Sequence, residues 1–374
     1  MLLIAFTVCA QDFSKAKELT EELFYEELKN EEVHNAFLSV YSPSKNIDWN
    51  FADGTFRNGN RVKLSHPFHT ASIGKTFTAT AITLLHDQGK LNISDRIGNY
   101  LHDSIMNGLH VFKGIDYSEE ITIAQLLQHT SGLPDYFEGE TIDGSPNGMG
   151  HLFIDIEKQW KPIEMIRLAK EKMKPHFVPG SDYHYTDTEY ILLGLIVENI
   201  SGMSLHDFFH AHLFRPLEMN HTYMHLRSDP IATMDNMSEL FVADFDASSV
   251  KSLSLDWAGG GLATTAQDLN IFQEALHTDK ILKPETLLQM QQWKSESQGF
   301  YYGYGIRKIS LNELNPTWPD LQVLGHTGTT SSFMFYCPQL DVYLSGTLNQ
   351  VTQMNKSVLI PAKVLTFIVS QKKN

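Results

Sequence analysis

The sequence predicts an α+β protein: an antiparallel sheet assembled from both ends of the chain, flanked by helices, with an α-rich domain inserted between the two halves. Three observations predict it. Strand-like runs lie near both ends of the 374-residue chain. The stretch between them reads as helices and long loops. The strands near the C-terminus follow one another at hairpin distance, which favours antiparallel pairing. The expected partition is a sheet domain from 11–82 and 253–374 and an inserted helical domain from 83–252. A cleft between two such parts is where a ligand site is expected.

Phe13 to Asn30 is a charged amphipathic segment, expected to lay a first helix over one sheet face. Ala36 to Tyr41 and Asp48 to Ala52 read as strands, with Ser42-Pro43-Ser44 as the turn. A helix follows Ser72, because Phe77, Ala81, Leu84 and Leu85 recur at helical spacing and Gly89 stands where a C-terminal glycine belongs. Further helices are expected at Ile123 to Gln128, Ile163 to Lys172, Thr188 to Ile200, Leu205 to Phe214 and Ala266 to Leu276. The third of these starts at Thr186 with Glu189 three residues on, a capping-box pattern, and ends at Gly202. Strands return at Gly303 to Ile309, Val323 to His326, Ser332 to Tyr336 and Val342 to Leu348, before a last helix from Lys356 to Val369.

Hydrophobic residues make up 42% and charged residues 20%, as in soluble globular proteins. The formal net charge of −15 excludes a nucleic-acid partner, which needs a basic face, and disfavours steering toward anionic membranes or cell-wall polymers. No stretch beyond the N-terminal apolar run approaches the length of a membrane span. That run ends Val8-Cys9-Ala10-Gln11, where Val8 and Ala10 fit the small-residue rule for signal-peptide cleavage. The expectation is that 1–10 are the remnant of a signal peptide, that the mature chain starts at Gln11, and that it is periplasmic or secreted. The competing readings are a lipoprotein anchor through Cys9 and a plain N-terminal strand of a cytoplasmic protein. With the signal removed, Cys337 is left alone and no disulfide forms.

Ser72 carries the chemistry. It opens Ser72-Ile73-Gly74-Lys75 at a helix start, where spacing of three puts Lys75 on its side of the helix. A serine hydroxyl needs a partner within hydrogen-bond reach to become a nucleophile. The free N–H groups and positive dipole end of a helix start favour a developing oxyanion. The same pattern occurs five times in the chain, but Ser14/Lys17, Ser42/Lys45, Ser248/Lys251 and Ser370/Lys373 sit in a charged terminal segment, a proline turn, an aperiodic polar stretch and the last residues. The bland reading of Ser72 is an ordinary N-cap. Two further motifs displace it: Tyr185-Thr186-Asp187 before an apolar helix, and His326-Thr327-Gly328 before a strand-like run.

In this order and spacing the chain resembles the class C β-lactamases and their relatives, the D-alanyl-D-alanine carboxypeptidases, D-aminopeptidases and β-lactamase-like esterases. The resemblance runs from about Ala36 to the C-terminus and includes Leu126-Leu127-Gln128-His129-Thr130-Ser131-Gly132-Leu133-Pro134, Phe214-Arg215-Pro216-Leu217-Glu218-Met219 and Gly259-Gly260-Gly261-Leu262-Ala263-Thr264-Thr265. It implies the β-lactamase/DD-peptidase-like arrangement of sheet and inserted helices, and an acyl-enzyme on Ser72.

Tyr185 is then the expected general base or proton shuttle, with Lys75 as the cation that brings a phenol toward neutrality. Lys75 itself acts as a base only if its charge is stripped by burial or nearby cations. Asp187 departs from the asparagine usual in the motif. An ionised aspartate accepts only, would pair with Lys75 and hold it charged, and would raise the pKa of Tyr185. It also suits the start of a helix. His326 departs from lysine but matches the His-Thr-Gly version carried by some DD-peptidases and esterases. As a mostly neutral group it would hold a substrate carboxylate less well. Thr327 is expected to donate its hydroxyl to such a group, and Gly328 to let substrate lie against the strand. The backbone N–H groups of Ser72 and Thr329 are the expected oxyanion hole, by family analogy and strand geometry.

His206, His210 and His212 cluster without a His-Glu-x-x-His carboxylate and read as a polar helix face rather than a metal site. His129 reads as a helix terminator, and Gly259-Gly260-Gly261 lacks the Gly-Lys-Ser/Thr of a phosphate loop. No cofactor is called for. The expected ligand is a small molecule or peptide, and the sequence leaves the oligomeric state open. The leading reading is a serine hydrolase on small esters or D-amino-acid peptide amides. The alternatives are a β-lactamase and a non-catalytic penicillin-binding or scaffolding protein.

Overall fold

The computed structural model describes residues 11–371 except 234. Val8, Cys9 and Ala10, with the expected cleavage after them, lie outside the described residues. Eight strands form the main sheet: β1 (Asn35–Ser42), β2 (Ile47–Gly54), β3 (Lys294–Ser297), β4 (Phe300–Tyr302), β5 (Arg307–Ser310), β6 (Gln322–Thr327), β7 (Phe333–Cys337) and β8 (Val342–Thr347). Their order is β3-β4-β5-β6-β7-β8-β1-β2, antiparallel throughout. Five helices matter most here: α1 (Ser14–Glu27), α2 (Gly74–Asp87), α3 (Asp187–Ser201), α4 (Ala266–His277) and α5 (Lys356–Ser370).

The two-residue period of β1 decides the layering. Ala36, Leu38 and Val40 face a core shared with Phe24 of α1 and Leu365 and Ile368 of α5. Phe37 faces the opposite core, with Phe77, Tyr190, Leu193 and Phe272. Ser39 hydrogen-bonds Asn270 of α4 on that side (2.8 Å). The turn between β1 and β2 is a single 3₁₀ turn, Pro43–Lys45, closed by Asn46 at φ 53°. Asparagine tolerates that left-handed conformation better than most residues.

α2 is buried nearly all round, which marks a central helix rather than a surface one. Its threonines are satisfied locally or by neighbours: Thr80 and Thr83 donate to carbonyls one turn back, Thr78 to Ala258 (2.7 Å) and Thr76 to Gly305 (2.8 Å). Gly74 allows this centrality, since a Cβ there would sit 2.7 Å from the Gly260 Cα. The glycine run after Trp257 is thus a packing surface for the nucleophile's helix.

Three features depart from the sequence reading. The expected domain boundary at residue 82 falls inside α2, and the hydrophobic core runs continuously across it. The capping box at α3 is not formed: Thr186 accepts from Thr188 N–H (3.1 Å), while Glu189 turns to His129 and Ser131. Three short strands, Phe68–His69, Leu262–Thr264 and Tyr223–Met224, form a second sheet too short to give a periodic signal. Among the described residues, no helix is long and apolar enough to cross a membrane.

Candidate active site

Ser72 sits in the 3₁₀ turn Ala71–Ile73 that runs into α2. Ala71 holds φ 47°, a left-handed conformation that costs an alanine free energy and persists only where the surroundings impose it. Here they do. Thr70 N–H bonds the Leu262 carbonyl (2.8 Å), Thr70 Oγ1 bonds the Gly260 carbonyl (3.1 Å), and Ser332 Oγ donates to the Thr70 carbonyl (2.7 Å). Gly328 belongs to the same clamp. A Cβ on it would overlap the Thr70 carbonyl and Ser332 Oγ and lie 3.0 Å from the Ala71 Cβ. Its glycine is therefore required by the approach of β6's end to the nucleophile turn, where the sequence suggested only room for substrate.

A cleft of about 360 Å³ opens over Ser72. Tyr185, Asp187, Thr327, Gly328 and Thr329 line it. Lys75 lies just beneath, fully buried. Its Nζ donates to Ser72 Oγ (3.0 Å), to the Gly259 carbonyl (3.3 Å) and, at very close range, to Asp187 Oδ1. Gly259 is fitted to this pair, since a Cβ there would stand 2.7 Å from Asp187 Oδ1. Burial alone would strip the charge from Lys75. The Asp187 carboxylate, helped by Tyr185 and Asp256, outweighs it and holds the ammonium well above its ordinary pKa.

Tyr185 places its ring centre 4.9 Å from Lys75 Nζ, and its hydroxyl is buried without a hydrogen-bond partner. Burial raises its pKa, Lys75 pulls it down, Asp187 raises it again and Arg307 lowers it; the balance is upward. Behind it the His129 ring lies at 4.3 Å, its Nδ1 2.5 Å from Glu189 Oε2. Desolvation pushes the Glu189 carboxyl up and the His129 imidazole down, so this buried couple is held without net charge. His129, at φ 58° just past Ile123–Leu127, ends that helix as expected, but it is also part of the wall behind Tyr185.

His326 is not where the sequence put it. It is fully buried and does not line the cleft. Its Nδ1 is 2.6 Å from the Thr327 carbonyl, so Nδ1 carries the proton and Nε2 accepts from Tyr302 Oη (3.0 Å). Burial, with Arg307 and Lys75 nearby, drives its pKa well below the ordinary value. The physical reason is strand alternation: Thr327 and His326 point to opposite faces of β6. A neutral imidazole fills the interior face.

The cation in the cleft wall is Arg307, on β5 opposite Gly325. Its guanidinium makes two bonds to Glu296 (2.9 and 2.7 Å) and one to Thr327 Oγ1 (2.9 Å). Sequence reasoning missed it because no motif marks it; the only signal was its place in a strand next to His326-Thr327-Gly328. Also missed were Asp135, Glu138 and Asp256, which give the cleft an acidic rim. Asp135 follows the quoted segment ending at Pro134, and its carboxylate accepts the N–H of Asp187 (2.9 Å) and Glu138 (2.9 Å). Burial and the Asp187 charge push both Asp135 and Asp256 up to about 7.

That shift has a stability consequence. Unfolded, Asp256 loses its proton near its ordinary value of 3.8; folded, it keeps it to about 7. Within this window the native state binds more protons, so Asp256 makes stability fall as pH rises. Asp256→Asn is expected to flatten the decline of the urea midpoint across this window. An unchanged pH slope in equilibrium unfolding would contradict it.

Among the described residues, no group of His, Cys, Asp and Glu is arranged to hold a metal ion. His210 and His212 instead pack on the rings of Phe214 and Phe208. Cys337 is buried in β7.

Comparison with known proteins agrees with the geometry. The family model described as Beta-lactamase matches residues 29–363. Penicillin-binding protein 4* of Bacillus subtilis (strain 168) is 28% identical over 236 residues, covering 59% of this chain and 47% of that protein. Protein flp of Staphylococcus aureus (strain MW2) is 32% identical over 155 residues, 41% of this chain and 27% of that one. The match thus spans less than half the length of these curated relatives. Among solved structures, D-amino acid amidase from Ochrobactrum anthropi SV3 complexed with D-phenylalanine superposes with a TM-score of 0.79 at 19% identity, over 96% of this chain and 100% of that one. A D-stereospecific amidohydrolase from Streptomyces sp. gives 0.74 at 22%, over 93% and 97%. At these identities the likeness is one of fold.

Proposed function

The chain belongs to the Beta-lactamase family, and from that premise we propose that it is a serine hydrolase working through an acyl-enzyme on Ser72. The observation that carries the reading is the triad Ser72–Lys75–Tyr185: Lys75 Nζ 3.0 Å from the nucleophile oxygen, and an unpartnered tyrosine hydroxyl in the same cleft.

Lys75 is held charged by Asp187 and has no lone pair to offer. Its role is to orient Ser72 and stabilise negative charge. Tyr185 is the proton acceptor. Ser72 Oγ attacks the carbonyl carbon as its proton passes to the Tyr185 phenolate. The phenol returns that proton to the departing oxygen or nitrogen, and water activated in the same way hydrolyses the ester on Ser72. The N–H groups of Ser72 and Thr329 receive the oxyanion, each worth roughly 2.7–4 kcal/mol in such sites.

The substrate class follows from charge. Asp187, Glu138 and, above about pH 7, Asp135 and Asp256 make the cleft acidic. Arg307 is engaged by Glu296. Small neutral esters and D-amino-acid amides, which carry no carboxylate and in the second case bring an ammonium group, suit this cleft better than anionic β-lactams. The names of the amidase and amidohydrolase neighbours support the same class.

The test is a panel of p-nitrophenyl esters, D-amino-acid amides and nitrocefin, with a fluorophosphonate label mapped to its residue. Label on Ser72 and turnover of the first two classes above nitrocefin are expected; nitrocefin as the best substrate would overturn the substrate assignment. Because the Tyr185 phenol is shifted upward, kcat/KM should rise about tenfold per pH unit through neutrality. A profile flat across this region would remove Tyr185 as acceptor.

A further inference from the structure

Tyr185 has two cations at its ring, not one. Lys75 Nζ lies 4.9 Å from the ring centre and the Arg307 guanidinium carbon 5.0 Å from it. Arg307 also stands 5.5 Å from the Tyr302 ring, so it is wedged against two aromatic faces while Glu296 grips its edge. Its third bond goes to Thr327 Oγ1, a cleft-lining hydroxyl. The other titratable groups facing Tyr185 are Asp187 and Tyr190 of α3, His129 in the loop after Ile123–Leu127, Tyr183 two residues before Tyr185 itself, Tyr302 of β4 and His326 of β6. Both imidazoles are neutral, pushed down by burial. Asp187 is committed to Lys75 and cancels much of that cation's field at the phenol. Lys75 is the larger favourable charge at the phenol, and Arg307, itself paired with Glu296, is the second; Arg307 is also the side chain that donates to Thr327 Oγ1.

We propose that Arg307 is a positioning residue of the reaction, supplying the second positive charge at Tyr185 and aiming the Thr327 hydroxyl into the cleft, the part that a buried, neutral His326 cannot play. The inference rests on Tyr185 being the proton acceptor. Its geometry is specific to the guanidinium: a planar group can lie against rings, hold a carboxylate with two bonds and still reach a third partner, as an ammonium cannot.

Two readouts separate this inference from the reading beneath it. The first is the ¹³Cζ shift of Tyr185, assigned with Tyr185→Phe and followed to about pH 10.5, which reports the phenolate fraction whether or not the protein turns over. Arg307→Gln should lower the ionisation constant of Tyr185 about tenfold, one pKa unit. Arg307→Lys should restore most of it. Because Arg307→Gln leaves Glu296 unpaired in a partly buried site, the double variant Arg307→Gln/Glu296→Gln carries the same test in a neutral background, and there too the constant should fall. The second readout is kcat/KM, whose rise with pH should move in each variant by the shift that its own Tyr185 titration shows: about one unit for Arg307→Gln and little for Arg307→Lys. A Tyr185 titration unchanged in the folded double variant overturns the role of Arg307. A wild-type acylation rate kept by Tyr185→Phe overturns the reading of Tyr185 instead, and is recognised separately.

Discussion

Ser72→Ala is expected to lose covalent labelling and to lose turnover by several orders of magnitude, with the fold intact. In the proposed reaction the Ser72 oxygen is the attacking atom, and loss of a covalent nucleophile removes the acyl-enzyme route altogether. Its contribution to stability is small. The side chain is only partly buried and accepts one hydrogen bond, from Lys75 at 3.0 Å. The clamp that shapes the turn runs through Thr70, Gly260, Gly328 and Ser332, none of which the substitution touches. The check is a fluorophosphonate label read by mass spectrometry beside a urea melt. Undiminished labelling of the variant would sink the assignment of the nucleophile.

Lys75→Met should cost both activity and stability, and the two losses separate. Lys75 and Asp187 form a buried pair, with side-chain exposures of 0% and 10%. Removing one partner of such a pair typically costs about 3–5 kcal/mol, because the other is left charged in a low-dielectric site. Here the stranded carboxylate would also face Asp135 and Asp256. The double variant Lys75→Met/Asp187→Asn removes the stranded charge, so it should recover most of the stability while staying inactive. If the double variant melts no better than the single one, the pair is not what Lys75 contributes to the fold. If the double variant regains activity, Lys75 is not needed at Ser72.

Some of this was legible in the sequence. Helix periodicity located α2, α3 and α5 to within a few residues, and alternation located β1, β6, β7 and β8. Ser72, Tyr185 and Asp187 line one cleft with Lys75 just beneath it; spacing brought Lys75 to Ser72, and the family resemblance pointed to the other two. What stayed hidden depends on neighbours distant in the chain. Strands β3 and β4 are too short to show alternation, and they build outward from β5, β4 on its edge and β3 on β4. His326 and Thr327 are adjacent in sequence yet occupy opposite sides of the sheet, so a motif read as a string assigned both to substrate. Glu189 fitted a capping box, but a buried imidazole and a serine hydroxyl at Ser131 compete for it successfully. Arg307 had no motif at all, since its meaning comes from Glu296, Thr327 and Tyr185 converging on it.

The sheet also sets a timetable for synthesis. β1 leaves the ribosome among the first strands, but its inner partner is β8, with Phe37 opposite Thr347 and Tyr41 opposite Tyr343. Until the far end of the chain emerges, the β1–β2 hairpin keeps one edge open, and α1 lacks α5 as its neighbour on the terminal-helix face. An unpaired edge of this kind is a template for pairing with other chains. The clamp on the nucleophile turn waits as well, since Gly328 and Ser332 follow β6. A nascent chain therefore carries its serine long before it can use it. On the proposed function, hydrolytic competence waits for β8, and a chain cut before that strand should be a sticky, inert polypeptide rather than a weakened enzyme.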